Sequence, residues 1–309
     1  MEKHFYSNGK LLLTGEYVVL DGALCLAVPT AYGQSLTLSQ GTEGKLSWIS
    51  KDVNGNHWFS HTFDIETDIL NTGPDAARNE DVIQRLAGLL WTANTMNPDF
   101  LTDKKGVTVI TELGFPRNWG LGTSSTLVSN IAAWAHIDAF ELLRRTFSGS
   151  GYDIACARHH TPILYDIKQE KPTITPVTFA PAFRKNLYFV HLNQKQNSRS
   201  GIERYRSREK DKQKTIVTIS GLTQEILRSS TLEDFESLIT HHEEIIASLI
   251  ELPTVRERLF PDYPGAIKSL GAWGGDFVMV TAKTDPGAYF HAKGYHTIIP
   301  YSEMVRPVY

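Results

Sequence analysis

The chain has 309 residues, 41% apolar and 21% charged, with a net charge of −3, which suits one large globular domain or two ordinary ones. Its basic residues are dispersed, which excludes the concentrated positive face of a nucleic-acid groove; the one cluster, Arg199 to Lys214, reads as a solvated helix or loop. Two cysteines, Cys25 and Cys156, exclude a disulfide framework or cysteine zinc site, and no apolar run is long enough for a membrane span, so a cytoplasmic protein without a membrane partner is expected.

The first residues read as four short strands, Lys10–Thr14, Tyr17–Leu20, Leu24–Val28 and Ser35–Ser39, separated by glycine-containing turns. Leu46–Ser50 and His57–Asp64 flank Asn54-Gly55-Asn56 and predict a hairpin. Helical spacing of Val82, Ile83, Leu86, Leu89 and Leu90 predicts a helix over Glu80–Thr95. A strand over Val107–Glu112 and helices over Ser124–His136 and Phe140–Arg145 follow, the last with Asp138 near its cap. Another helix begins at Asp153, and Ile163–Ile167, Ile174–Phe179 and Leu187–Leu192 read as strands. The remainder reads as strand, helix, helix, strand, closing with Phe277–Thr281 and His296–Ile299. Phe235, Leu238, Ile239, Ile245, Ile246 and Leu249 share one face of Leu232–Leu249, a core stripe. A soft boundary near residue 181 divides the chain into two α+β domains, 1–180 and 181–309.

Chemistry concentrates in the glycine loops. Gly120-Leu121-Gly122-Thr123-Ser124-Ser125 lies between a strand and a helix start, where glycines let the backbone approach a ligand and unpaired N–H groups attract an anion. No lysine completes a Walker A loop, and Ser125 stands where a dinucleotide fingerprint needs its third glycine. Taken alone, the loop is equally compatible with a capped helix after a glycine turn. Two further loops, Ser148-Gly149-Ser150-Gly151-Tyr152-Asp153 and Gly271-Ala272-Trp273-Gly274-Gly275-Asp276, exceed what turn chemistry requires and suit backbones closing around a polyphosphate. The histidine pairs His159-His160 and His241-His242 point about 100° apart on a helix, so they read as surface or capping residues and not as metal ligands.

These loops resemble the three motifs of the GHMP kinases (galactokinase, homoserine kinase, mevalonate kinase and phosphomevalonate kinase), in the family's order and over nearly the whole chain. The first resembles Ser7–Gly22, the second Pro116-x-x-x-Gly120-Leu121-Gly122-Thr123-Ser124-Ser125, and the third Lys268-Ser269-Leu270-Gly271-Ala272-Trp273-Gly274-Gly275-Asp276. The resemblance implies an α+β fold with an N-terminal ribosomal-protein-like domain, a C-terminal ferredoxin-like domain and an active site between them. It implies ATP and Mg²⁺ as cofactors and a small-molecule acceptor, in a monomer or homodimer. Asp153, after Ser150-Gly151-Tyr152, would orient or deprotonate the acceptor, with Lys10 steadying it and the developing charge. Pro116 and Gly120 to Ser125 would hold the nucleotide, Ser124 would also hold Mg²⁺, and Glu141 is the nearest acidic metal ligand by spacing. Glu16, Ser150, Gly151, Gly274 and Gly275 would line the acceptor side.

The sequence also departs from the family. Asn8 replaces a proline, Trp273 replaces a small residue and is expected to reshape the acceptor pocket or stack on a ligand, and the segment from Ser125 to Asp153 is short. Gly15-Glu16-Tyr17, the third motif and Gly151–Ala157 look most like phosphomevalonate kinase, whose phosphorylated acceptor calls for cations. Lys195 and Arg199 are the candidates, solvated loop charges being the alternative. Mevalonate kinase, diphosphomevalonate decarboxylase and a non-catalytic ATP- or metabolite-binding regulator are the other readings.

Overall fold

The computed structural model describes residues 2–103, 105–147, 149–194, 198–207, 212–271 and 273–306. The chain forms two compact units that interleave in sequence: Met1–Gly9, Tyr32–Arg117 and Leu121–Arg158 in the first, Lys10–Ala31, Asn118–Gly120 and His159–Tyr309 in the second. Strands β1 (Lys3–Leu12) and β2 (Cys25–Gln40) each contribute to both.

In the first unit, β3 (Lys45–Lys51) and β4 (His57–Asp64) form the expected hairpin. β5 (Val107–Leu113) pairs parallel with β3 and antiparallel with Gln34–Gln40 of β2, giving the order β4-β3-β5-β2. Leu46, Trp48 and Ser50 are buried while their neighbours in β3 are half-exposed, the period of two of a sheet with one covered face. Helices α1 (Val82–Met96), α2 (Thr123–Ala135), α3 (Ala139–Thr146) and α4 (Tyr152–Arg158) supply the cover. Asp81 caps α1 by accepting from Gln84 N, and Asp138 caps α3 by accepting from Glu141 N. Leu89 and Leu90 of α1, Val128 and Ile131 of α2, Leu142 of α3 and Ile154 of α4 join Leu46, Trp48 and Phe63 in one core.

In the second unit, Cys25–Ala27 of β2 pairs with β6 (Ile163–Lys168), which pairs with β7 (Lys171–Pro176). A separate antiparallel sheet is built from β8 (Leu187–His191), β9 (Ile267–Leu270), β10 (Phe277–Thr281) and β11 (Ile298–Pro300) in the order β11-β8-β10-β9. Between β8 and β9 the chain forms α5 (Ser198–Arg206), α6 (Lys212–Arg228), α7 (Leu232–Ile250) and α8 (Val255–Leu259). Two short helices, α9 (Gly287–Ala292) and α10 (Tyr301–Met304), flank β11.

Three expectations are corrected. The strand Tyr17–Leu20 is a 3₁₀ turn over Val18–Asp21, because Gly15, Tyr17 and Gly22 all take left-handed φ angles (88°, 65° and 89°) and turn the chain out of extension. The strands Leu24–Val28 and Ser35–Ser39 are one strand, β2: Gly33 is no turn, but a close approach, since a Cβ there would lie 2.3 Å from Ser7 O. The strand Ile174–Phe179 begins earlier, at Lys171, because Gln169 and Glu170 form the two-residue turn from β6 with φ of 50° and 62°. Asn-Gly is the usual signal for such a turn, and Gln-Glu carries none.

Ile131 is fully buried on the helix that begins at the glycine loop. Ile131→Ala is expected to lower unfolding free energy by about 2–5 kcal/mol in urea titration, by losing apolar burial and leaving a cavity.

Candidate functional site

In the first unit, the glycine loop runs directly into α2. Gly122 occupies the cap position with φ 94° and has no side chain to accept from the first-turn amides. Those amides lie at the positive end of the helix dipole, where an anion is favoured. Ser124 is exposed on this turn. Ser125, expected among the residues holding the nucleotide, is 2% exposed, and its Oγ donates to Gly122 O at 2.9 Å, so its side chain shapes the loop. Thr126 does similar work, donating to Gln34 Oε1 at 2.7 Å. Leu121 is wholly buried, leaving its backbone for a ligand. Pro116 is half-buried, and Thr123 opens the helix. Asp153 lies in the first turn of α4, accepting from Ile154 N at 3.0 Å, with Gly151 before it at φ 88°. Packing of α2 and α4 through Val128, Ile131 and Ile154 brings the helix starts carrying Ser124 and Asp153 into one unit.

The second unit holds Lys10 and the front of the glycine loop. Lys10 Nζ donates to Gly120 O at 2.8 Å. Asn118–Gly120 is seated on the antiparallel sheet: His191 Nε2 donates to Asn118 O at 3.2 Å, and Trp119 meets Phe277 edge-on at 5.4 Å. Gly274 has φ 74°, and its carbonyl accepts from Gln194 Nε2 at 2.7 Å and Arg258 at 3.3 Å. Gly275 beside it is buried.

A cluster of buried charge lies behind this motif. Lys268 Nζ is 2.6 Å from Glu16 Oε1 and 3.4 Å from Glu243 Oε2, and all three residues are at most 2% exposed. Glu243 Oε1 accepts from Ser269 N and Oγ, and His242 Nε2 accepts from Gly15 N at 2.9 Å. Burial pushes the Glu16 carboxyl up despite Lys268, and holds His242 neutral, well below the usual imidazole range. Glu16, expected to contact the acceptor, is therefore a buried ion-pair member. His242, expected to be a surface or capping residue, is a fully buried acceptor; its place on the apolar stripe of α7 was the available signal.

Tyr17 and Trp273 are also committed internally. Trp273 N donates to Tyr17 Oη at 3.0 Å and its indole Nε1 to Pro253 O at 3.1 Å. At 7% exposure, Trp273 belongs to the core with Tyr17, Tyr205 and Ile246; it neither reshapes an open pocket nor awaits a ligand. Glu141 donates nothing to a metal site: its carboxylate accepts from Arg144 and Arg145 on its own helix, which hold it down at about 2. Among the described residues, no three His, Cys, Asp or Glu side chains gather into a metal-holding group, and no helix is long and apolar enough to cross a membrane. Ser150 is half-buried ahead of Asp153. Lys195 lies outside the described residues, and so does the side chain of Arg199.

Removing Lys268 leaves two buried carboxylates without their cation. Lys268→Met is expected to cost about 3–5 kcal/mol in urea denaturation, against a smaller loss for Glu16→Gln, which leaves Lys268 with Glu243. Because Glu16 titrates higher in the folded state than unfolded, the native state holds its proton more tightly. That contribution is full below the unfolded pKa and is lost as pH rises through the folded value. Lys268→Met removes the charge that draws Glu16 down, so its stability deficit is expected to be greater at about pH 8 than at about pH 5.

No family model matches the chain, and no curated protein sequence matches it. Solved structures do. The mevalonate kinase of Methanococcus jannaschii superposes with a TM-score of 0.70 at 15% identity, over 100% of this chain and 99% of that one. Streptococcus pneumoniae phosphomevalonate kinase, in complex with phosphomevalonate and AMPPNP, gives 0.67 at 16% identity, over 95% and 97%. Lactococcus lactis galactokinase, complexed with galactose, gives 0.65 at 13% identity, over 99% and 95%. Near-complete coverage at such low identity is a likeness of architecture: the chain has the two-domain GHMP kinase fold.

Proposed function

We propose that the chain is an ATP-dependent small-molecule kinase, with phosphomevalonate as its acceptor in isoprenoid precursor synthesis. The observation that carries the reading is the 2.8 Å hydrogen bond from Lys10 Nζ to Gly120 O, which joins the lysine of the first motif to the glycine loop of the second. A cation held on a loop that leads into an uncapped helix start is the equipment that polyphosphate transfer requires. The likeness to both mevalonate and phosphomevalonate kinases supports the reaction class.

In this reading the amides from Gly120 to Thr123 hold the β-phosphate, and Lys10 neutralises charge as the γ-phosphoryl group moves. Asp153 orients an acceptor oxygen and takes its proton where it carries one. That oxygen bonds to the γ-phosphorus as the bond to the bridging oxygen breaks, releasing ADP. Magnesium, carried in largely on the ATP phosphates, would supply further neutralisation; the exposed Ser124 hydroxyl fits a role in holding it. Glu141 is set aside as a metal ligand because its oxygens are engaged by arginines. Gly151 and Gly274 border the acceptor, and Lys195 and Arg199 remain the proposed cations for its phosphate. Tyr17 carries no information about the acceptor, since its hydroxyl serves Trp273.

A coupled ADP-release assay on phosphomevalonate, mevalonate, homoserine and simple sugars is expected to give turnover on phosphomevalonate. Asp153→Ala is expected to lower kcat by about 10²–10⁴-fold. Full turnover in that variant would remove Asp153 as the base. Turnover on mevalonate alone would make the protein a mevalonate kinase, CO₂ release a decarboxylase, and ATP binding without turnover a regulator.

A further inference from the structure

Asp276 closes the third glycine loop and precedes β10, and its backbone is set where only a few residue types go. Its φ is 37°, in the left-handed region, and it is 8% exposed. Both of its backbone polar groups are fixed: N donates to Gln194 O at 3.2 Å, and O accepts from Leu192 N at 2.8 Å. With the main chain pinned on both sides, the Cα–Cβ bond is aimed in one direction.

That direction is Gly120. A Cβ on Gly120 would lie 2.1 Å from Asp276 Oδ2 and 2.3 Å from its Cγ, so the carboxylate occupies the space a side chain would take. Gly120 also has φ 65°, and glycine is therefore required there twice over. The same oxygen also passes Gly271, where a Cβ would stand 3.5 Å from Oδ2, an ordinary contact. Gly120 is thus the glycine that leaves room for the buried acid. The carbonyl of Gly120 accepts from Lys10, so a cation and an anion bear on the same residue of the glycine loop.

A carboxylate contributes nothing to phosphate binding by contact, because like charges repel. What the geometry shows it bearing on is Gly120, whose carbonyl holds Lys10. We propose that Asp276 is a positioning residue for phosphoryl transfer: braced against Gly120, it keeps that residue's carbonyl turned to Lys10 and so aims the ammonium group. The proposal rests on the kinase reading and adds to it a residue that touches neither nucleotide nor acceptor. It also explains why the third loop ends in a strained, buried aspartate and not a further glycine.

The test uses the full chain and four variants: Asp276→Ala, Asp276→Asn, Gly120→Ala and the double variant Gly120→Ala/Asp276→Ala. Lysine labelled with ¹³C at Cε reports the Lys10 environment by NMR, its resonance assigned by Lys10→Arg. With Asp276→Ala the Lys10 resonance is expected to move toward those of exposed lysines, while kcat falls roughly 10–100-fold and KM for ATP holds. Asp276→Asn, which keeps the shape of the brace, is expected to restore the resonance and most of kcat. The double variant should be no slower than Gly120→Ala alone, because both changes break one contact. An unmoved Lys10 resonance in Asp276→Ala, a loss carried by KM, or additive losses in the double variant would overturn the proposal. Wild-type protein that turns over no acceptor would sink the kinase reading instead, and the Lys10 resonance would still decide whether Asp276 positions that lysine.

Discussion

Lys268 is the constraint on which the second unit depends. An ammonium group with no solvent exposure is tolerable only where carboxylates and carbonyl oxygens replace its water, and Glu16, Glu243 and Ser269 O do so. These partners come from three stretches far apart in sequence: the turn after β1, helix α7 and strand β9. Each must arrive in register, since a displaced partner would leave a buried charge uncompensated. His242 and Glu243 extend the arrangement. Adjacent on α7, they point in different directions, one to Gly15 N and the other to the backbone of Ser269. One turn of helix thereby fixes the first-motif turn and the third-motif strand together.

The same two motifs contain backbone that ordinary residues avoid. Tyr17 at φ 65° and Asp276 at φ 37° are held by surrounding contacts: Tyr17 by Trp273 N and by stacking on Tyr205, Asp276 by Gln194 and Leu192. Gly201 on α5 belongs to this arrangement, for a Cβ there would come within 2.5 Å of the Tyr17 hydroxyl. Strained residues cluster where geometry is needed more than stability. Here they set the two loops that the sequence marks as chemical.

The first unit works by a simpler principle. Its core is apolar, and the helix carrying the glycine loop is fixed by side chains such as Val128 and Ile131. The polar contacts of that helix run inward as well, from Thr126 to Gln34 and from Ser7 to Asn130. With those hydroxyls engaged in holding the helix, the exposed Ser124 and the uncapped amides are left at its start. Rigidity behind the loop and open donors in front of it are what an anion site requires.

Much of this was legible in the sequence, because local signals are strong where periodicity is strong. The Asn54-Gly55-Asn56 turn gave the β3–β4 hairpin, helical spacing gave α1 and α7, and the glycine loops marked the motifs whose resemblance implied the fold. The turn at Gln169-Glu170 was not legible, since its left-handed angles are imposed by the pairing of β6 with β7 and not by residue type. Nor were the fates of Glu16, Glu141 and Trp273. A carboxylate in a motif reads alike whether it meets an acceptor, an arginine on its own helix or a buried lysine. Sequence alone determined where the glycine loops fall, through residues whose backbone freedom is intrinsic. Only the tertiary structure decided which charged side chains stay inside, because the cost of burying a charge depends on partners that the folded chain brings together.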